Sequence, residues 1–261
     1  MIRAVNTDKP DIIRELRKNI FGNVYLYIDI LIYGIENESI MIWINKRNDE
    51  IKQVVLKYYN SFQIYSVETE TDYSEIKTLV LKYKPAMISG QADSIRKLRE
   101  SVGELYEETY GAILVQPYTE IKEMIYIPKL ATIEDIEEIA CLIYSDKGIG
   151  GHYNLNELIT QLKSRLKDKT GRNYIIRQEG KIVAHYATYA EAPEVAVMGG
   201  LIVSPKCRLK GYARFLHCYL SNILIGEERK AILFCHQDLK EMYLKFGAAI
   251  HGEYGKLTLK K

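Results

Sequence analysis

The sequence contains few of the residues that mark unusual classes of protein. Only 6 of its 261 residues are proline and one is tryptophan, and its 47% apolar and 27% charged residues are ordinary for a globular chain. The four cysteines occur singly, so we expect free thiols rather than a disulfide framework. The five histidines show no HxH, HxxxH or HExxH spacing, and we therefore expect no metal site.

Long apolar runs and an excess of one charge are also missing. The most apolar stretch, residues 24–35, is short and interrupted by Asp29, so it cannot span a bilayer. The first twenty residues carry charges throughout and lack the apolar core of a signal peptide. The 36 basic and 34 acidic residues nearly balance, which argues against a general binder of nucleic acid or membrane surfaces. We therefore expect a cytoplasmic protein that binds neither.

The length favours two domains, each large enough to bury a core. A loop at residues 116–118 is the candidate boundary, which predicts domains over residues 1–122 and 123–261. The first half alternates helical stripes with strand-like runs, so we expect a smaller α/β (α+β, mixed-sheet) domain. Its predicted elements are a helix over 8–20, a strand over 24–33, a hairpin connection over 34–38, strands over 39–45 and 51–68 (the latter with breaks), a helix over 73–84, a short strand over 86–89, a helix over 92–102 and a strand region over 104–116.

The second half predicts a longer series of elements. They are a strand over 124–130, helices over 133–144 and 154–167, three strands within 173–203, a helix over 211–224, a strand over 231–235, a helix over 238–246 and terminal strands. Thr132 is the expected N-cap of the first helix, and Glu179-Gly180 suits a tight hairpin. Glycines between 148 and 151 predict a flexible turn. Gly199-Gly200 indicates either a strand bulge or a packing relief.

The most informative segment follows the third of these strands. An apolar strand ending at Leu201, Ile202 and Val203 runs into a turn and then into a helix. Helix N-termini offer unpaired N–H groups and a partial positive charge, which together bind phosphate. Gly211 would let a ligand approach the backbone closely. Four cations gather within nine residues of this nearly neutral chain: Lys206, Arg208, Lys210 and Arg214.

These residues resemble the acetyl-CoA diphosphate signature of the GNAT family of N-acetyltransferases, Arg/Gln-x-x-Gly-x-Gly/Ala. The matching segment is Arg208-Leu209-Lys210-Gly211-Tyr212-Ala213, with Arg214 directly after it. The resemblance covers roughly residues 125–261 in element order. It extends to residues 243–248, which are similar to the family's Tyr-x-Lys-x-Gly-Phe. Leu209 and Ala248 depart from the family pattern, and the latter stands where the family usually has Phe.

The resemblance implies a C-terminal GNAT fold in which an amine directly attacks the thioester of acetyl-CoA. It implies that Leu201, Ile202 and Val203 pair with the pantetheine arm and that one of their N–H groups polarises the thioester carbonyl. Tyr243 corresponds to the family's general acid, which protonates the leaving thiolate. The candidates for a general base are Glu191, Glu194 and His185, and the sequence does not choose between them.

The expected function is therefore acetyl transfer from acetyl-CoA to a primary amine of a small molecule or peptide, without a metal cofactor. A non-catalytic acyl-CoA sensor is the alternative. The first half resembles the N-terminal half of two-domain bacterial GNAT proteins, as a degenerate GNAT-like domain. It lacks the diphosphate signature, so we expect it not to bind CoA. The sequence leaves a homodimer open.

Overall fold

The structure is a computed structural model that describes residues 1–38, 40–67, 70–146 and 154–260. The chain forms two compact units. Unit 1 comprises Met1–Ile113, Cys235–Lys240 and His251–Lys261, and unit 2 comprises Leu114–Phe234 and Glu241–Ile250. The predicted glycine turn over 148–151 lies outside the described residues.

Helices and strands alternate along the chain, as expected for a mixed α/β protein. The helices are α1 (Lys9–Arg17), α2 (Val24–Tyr33), α3 (Ser74–Tyr83), α4 (Ala92–Val102), α5 (Ile136–Tyr144), α6 (Leu155–Asp168), α7 (Tyr212–Gly226) and α8 (Gln237–Lys245). The strands are β1 (Ile2–Arg3), β2 (Ile40–Arg47), β3 (Glu50–Tyr58), β4 (Ser61–Ser66), β5 (Met87–Gln91), β6 (Tyr106–Gln116), β7 (Lys129–Leu130), β8 (Asn173–Gln178), β9 (Lys181–Ala192), β10 (Val195–Val203), β11 (Lys230–His236) and β12 (Ala249–Leu259).

Unit 1 contains a mixed sheet. Strands β1 to β4 pair antiparallel in chain order, β5 runs parallel to β4, and β12 pairs antiparallel with β5. Alternate residues of these strands, including Phe62, Ile64 and Leu257, form one buried cluster with apolar residues of α3 and α4. Burial of this apolar face explains why the two helices cover that side of the sheet.

The prediction of a strand over residues 24–33 is wrong, because these residues form α2. The run VYLYIDILIY is apolar nearly all round, and such a run has no periodicity that separates a buried helix from a buried strand. The hairpin predicted at residues 34–38 is therefore also wrong, because this segment connects helix α2 to strand β2 rather than two strands. Gly34 ends the helix with φ +79°, and its N–H donates to the Ile30 carbonyl at 3.0 Å.

Unit 2 is built on strands β7 to β10, which pair antiparallel in chain order, and β11, which runs parallel to β10. Helices α5 and α6 pack on one face through a buried cluster that includes Ile139, Leu162, Ile175 and Ile202. The chain between residues 124 and 130 is strand only at Lys129–Leu130, so most of the strand predicted there is absent. This segment is mostly exposed and offers no buried alternating face.

Two local predictions in unit 2 are confirmed. Thr132 and Asp135 form a reciprocal capping box at the start of the helical segment that leads into α5. Glu179 and Gly180 both have positive φ, +50° and +79°, as the tight hairpin between β8 and β9 requires. No helix in the described ranges is long and apolar enough to cross a membrane.

Candidate active site

Strand β10 changes its pairing at the point where the sequence has Gly199-Gly200. Its pairs with β11 run from Val195 with Lys230 to Met198 with Leu233, and residues 199–203 continue beyond the last pair. The register with β9 also shifts between Gly199 and Ile202, and Gly200 has φ +69°. The bulge, one of the two alternatives for this glycine pair, is therefore present. It leads directly into Leu201, Ile202 and Val203, the residues predicted to pair with pantetheine.

The loop after β10 leads into α7 through two left-handed residues. Leu209 has φ +62° and its side chain is fully exposed, while Gly211 has φ +88° and immediately precedes the first residue of α7. A Cβ at Gly211 would contact only the Tyr126 hydroxyl, at 4.0 Å. The glycine therefore satisfies a backbone conformation that side chains rarely adopt, and it leaves the start of the helix open.

Of the four positively charged side chains in and next to this loop, Arg208 has an acidic partner among the described residues. Arg208 donates from Nε to the Val203 carbonyl at 3.2 Å and forms an ion pair with Asp146 at 2.9 Å. Within the described part of the chain, Lys206, Lys210 and Arg214 have no carboxylate within ion-pair distance, and residues 147–153 contain none in their sequence. Three uncompensated positive charges beside an open helix N-terminus make a site suited to a phosphate group.

Tyr126, which lies shortly before β7 in the sequence, contacts this loop, and the sequence analysis did not identify it. Its hydroxyl donates to the Lys210 carbonyl, and its ring stacks on Tyr212 at a centroid distance of 4.1 Å. The ring also meets Phe215 edge-on at 5.3 Å. No local pattern marked Tyr126, because its partners lie more than 80 residues away in the sequence. These contacts fix the course of the loop.

Tyr243 lies in α8 and is buried, with 7% of its surface exposed. Its ring centroid is 5.2 Å from that of His217 and 6.0 Å from that of Phe246. His217 is itself completely buried, with Nε2 2.7 Å from Gln116 Oε1 and Nδ1 3.2 Å from the Tyr186 hydroxyl. Gln116 Oε1 can only accept, so Nε2 carries the proton and Nδ1 accepts from the tyrosine. Burial lowers the pKa of His217 to about 4, which keeps this imidazole neutral at neutral pH.

Two of the three candidate bases are held by neighbouring groups. Glu191 accepts from Arg172 Nε at 2.8 Å and is also paired with Arg229. His185 is completely buried, its Nδ1 lies 2.9 Å from the Gly200 carbonyl oxygen, and its Nε2 lies 2.9 Å from Asn173 Oδ1. Desolvation lowers the pKa of His185 to about 4.

The third candidate is distant along the strand. Glu194 precedes the first residue of β10, whereas the predicted pantetheine-binding residues are at its other end. The side chains of Glu191 and His185 are therefore already engaged, and Glu194 lies at the opposite end of β10 from residues 201–203.

Comparison with known families finds a match in the second half of the chain. The family model of the acetyltransferase (GNAT) family matches residues 133–248, a range that contains the loop, α7 and Tyr243. Residues 133–248 form a GNAT domain. A search of curated proteins found no match to the sequence.

Solved structures share the fold over nearly the whole chain. A Drosophila protein aligns with a TM-score of 0.68 at 12% identity, covering 99% of this chain and 98% of that one. A GNAT-family acetyltransferase from Colwellia psychrerythraea aligns at 0.62 and 12% identity, covering 99% of both chains. A GCN5-related N-acetyltransferase from Sphaerobacter thermophilus aligns at 0.62 and 14% identity, covering 98% and 93%. At these identities the likeness shows the fold alone.

The GNAT domain has no grouped metal ligands in the part of the chain that the structure describes, where no set of three or more His, Cys, Asp or Glu side chains could hold an ion. Acetyl transfer in this family uses acetyl-CoA, and the exposed N-terminus of α7 with its adjacent cations fits the diphosphate of that molecule.

Proposed function

We propose that this chain is an N-acetyltransferase that transfers acetyl from acetyl-CoA to a primary amine of a small molecule or peptide. The observation that carries the proposal is the loop from Arg208 to Gly211, which joins the part of β10 that is paired with β9 but no longer with β11 to an open helix N-terminus beside uncompensated cations. The proposed catalytic domain spans residues 123–261. Residues 1–122 are proposed to form a degenerate GNAT-like α/β domain that does not bind CoA.

In the proposed complex the diphosphate lies against residues 208–214, where backbone N–H groups and cations bind it. The pantetheine arm pairs with Leu201, Ile202 and Val203, beyond the last β10–β11 pair. One of their N–H groups polarises the thioester carbonyl as negative charge develops on its oxygen. The Val203 carbonyl already accepts from Arg208, which couples the phosphate loop to the strand that aligns the thioester.

The proposed reaction is direct attack in a ternary complex. The amine nitrogen bonds to the acetyl carbon and loses one proton to water, the C–S bond breaks, and Tyr243 donates a proton to the thiolate and regains one from water. Alignment of amine and thioester can supply up to roughly 7–11 kcal/mol of the barrier reduction, more than a dedicated base typically adds. The proposal therefore assigns no base, since Glu191 and His185 are both held by neighbours.

The test is release of free thiol from acetyl-CoA with a broad panel of primary amines, together with detection of the acetylated amine. Thiol release above background with at least one amine supports the enzyme. Saturable CoA binding without release for any amine would favour the sensor instead.

Replacement of the proposed acid gives a sharper test. Tyr243→Phe removes the hydroxyl from a buried ring and should lower kcat by about 10²–10⁴-fold with CoA affinity unchanged. Tyr174→Phe removes the hydroxyl of another buried tyrosine of unit 2 and is the matched control, expected to keep kcat. Equal rates for Tyr243→Phe and the wild type would remove the acid role.

A further inference from the structure

The ring of Tyr189 packs directly on the bulge of β10. A Cβ at Gly199 would lie 2.4 Å from the ring, and a Cβ at Gly200 would lie 2.5 Å from the Tyr189 hydroxyl oxygen. Contacts this short leave no room for a side chain at either position. The two glycines therefore let an aromatic ring lie against the backbone immediately before Leu201, the first residue proposed to align the thioester.

The side chain of Arg165, on α6, covers this ring. Its guanidinium carbon lies 4.8 Å from the centroid of the Tyr189 ring, a cation–π distance. Arg165 is partly buried, yet no carboxylate of the described residues lies within 4 Å of it. Residues 147–153, which connect α5 to α6, contain no aspartate or glutamate in their sequence.

The other partly buried arginines of unit 2 have acidic partners. Arg172 binds Glu191 and Glu227, and Arg229 also binds Glu191. The more exposed Arg177 binds Asp135 and Glu138. Charges that lose hydration normally acquire a counter-charge, because burial of an unpaired charge is costly. Arg165 is the exception. Its guanidinium contacts the Tyr189 ring, which packs on the backbone immediately before the proposed thioester site.

We propose that Arg165 binds a carboxylate of the acceptor, so that the acceptor is an amino acid or another amine with a carboxylate a few bonds away. A guanidinium presents parallel N–H donors that match the two oxygens of a carboxylate. Tyr189 would fix the guanidinium and set the spacing to the bulge at Gly199 and Gly200. The amine then faces the thioester while its carboxylate is held at Arg165.

This proposal rests on the proposed function and adds only the substrate class. The reaction is unchanged in its balance: the C–N bond forms as the C–S bond breaks, Tyr243 protonates the thiolate, the nitrogen loses one proton to water, and water returns one proton to Tyr243. Binding of the acceptor carboxylate mainly positions the amine, so the loss of Arg165 should raise KM more than it lowers kcat.

The first experiment measures thiol release with pairs of amines that differ only in the carboxylate, such as phenylalanine and 2-phenylethylamine or leucine and isoamylamine. The wild type should prefer the amino acid in each pair. Arg165→Ala should raise KM for the amino acid by about 10–100-fold and leave the decarboxylated amine unchanged. Arg165→Lys should recover part of the loss, because it restores the charge without the planar fork.

Lys167→Ala removes one positive charge from the exposed side of the same helix and is the matched control. It should leave the preference intact. Equal effects of Arg165→Ala on both members of a pair, or a wild-type preference for the decarboxylated amines, would overturn the proposal.

Binding of amino acids to the CoA-saturated protein, measured by saturation-transfer NMR, separates this proposal from the proposed function. Absence of thiol release with every amine would contradict the enzyme assignment alone, provided that phenylalanine or leucine still binds and Arg165→Ala abolishes that binding. Failure of both amino acids to bind the CoA-saturated wild type would overturn the carboxylate site, whatever the rate of thiol release.

Discussion

The loop before α3 in unit 1 and the loop before α7 in unit 2 both lead from a strand into a helix, but their backbone N–H groups have different partners. In unit 1, Glu70 Oε1 accepts from the N–H groups of Thr71 and Asp72 at 3.0 and 2.8 Å. Asp72 Oδ1 accepts from the N–H of Ser74, the first residue of α3, at 2.9 Å. The protein's own carboxylates therefore satisfy the donors that an anion would need.

The corresponding loop in unit 2 has the opposite charge. It contains Arg208 and Lys210, has an exposed Gly211, and places no acidic side chain among residues 204–214. A strand followed by a helix thus provides the geometry for anion binding, while the side chains of the loop decide whether an external phosphate or an internal carboxylate occupies it. This difference supports the proposal that only unit 2 binds CoA.

The largest expected effect on CoA binding comes from placing a carboxylate in the loop before α7, as unit 1 has in the loop before α3. Gly211→Glu places a carboxylate where the diphosphate is proposed to bind and should weaken CoA binding about 1000-fold or more, because an uncompensated like charge costs several kcal/mol. Isothermal titration with CoA measures the loss, and the circular dichroism spectrum reports whether the fold survives.

Gly180→Glu is the matched control, since Gly180 also has positive φ and open space around its Cβ. The Gly180→Glu variant introduces the same charge and a similar backbone strain at the β8–β9 hairpin as Gly211→Glu does before α7, and it should bind CoA as the wild type does. Retained affinity in the Gly211→Glu protein would mean that the diphosphate lies elsewhere.

The next largest effect, on stability, concerns Asp29, a partly buried acid in unit 1, whereas unit 2 buries the neutral His185 and His217. Burial raises the pKa of Asp29 to about 6, and its carboxylate accepts from Gln63 Nε2 at 2.5 Å. A raised acid pKa destabilises the folded chain as pH rises from about 4 through 6. Asp29→Asn should therefore increase the free energy of unfolding by up to about 3 kcal/mol at pH 7.5 and change it little at pH 4.

The asparagine amide can also donate to Gln63 Oε1, a buried atom without a hydrogen-bond partner among the described residues. Denaturant unfolding of wild type and variant at the two pH values measures the difference. A gain of the same size at both pH values would show that ionisation of Asp29 is not the cause.

The smallest effect concerns the ion pair between Arg208 and Asp146. This pair is half-exposed, with side-chain exposures of 51% and 21%, so its own contribution is modest. Asp146→Asn should release Arg208 for the diphosphate and tighten CoA binding by about 2–5-fold at low salt. Asp168→Asn, at the end of α6, is the control with the same charge change. Weaker binding in Asp146→Asn would instead assign Asp146 the role of orienting Arg208.

The sequence predicted the parts of the molecule that depend on local chemistry. The loop from Arg208 to Ala213 and the capping box at Thr132 each span only a few residues, so their spacing can be recognised in the sequence alone. The α2 helix was predicted as a strand because its apolar residues continue round the helix, including the exposed Ile32, and leave no helical periodicity in the sequence.

Non-local contacts account for what the sequence did not indicate at the candidate site. Tyr126 meets Lys210 across 84 residues, and Arg165 meets Tyr189 across two elements, with no periodic pattern to connect either pair. The roles of Leu201 to Val203 and of Tyr243 remain proposals drawn from family resemblance. The domain boundary near residue 122 also stays a prediction.

Isothermal titration of the well-folded wild-type chain with CoA tests the central claim most directly. We predict one saturable site per chain, with affinity that falls as salt increases because phosphate contacts provide much of the binding. Absence of binding would contradict the account, and so would two equivalent sites per chain, since the carboxylates of the unit 1 loop should exclude a second CoA.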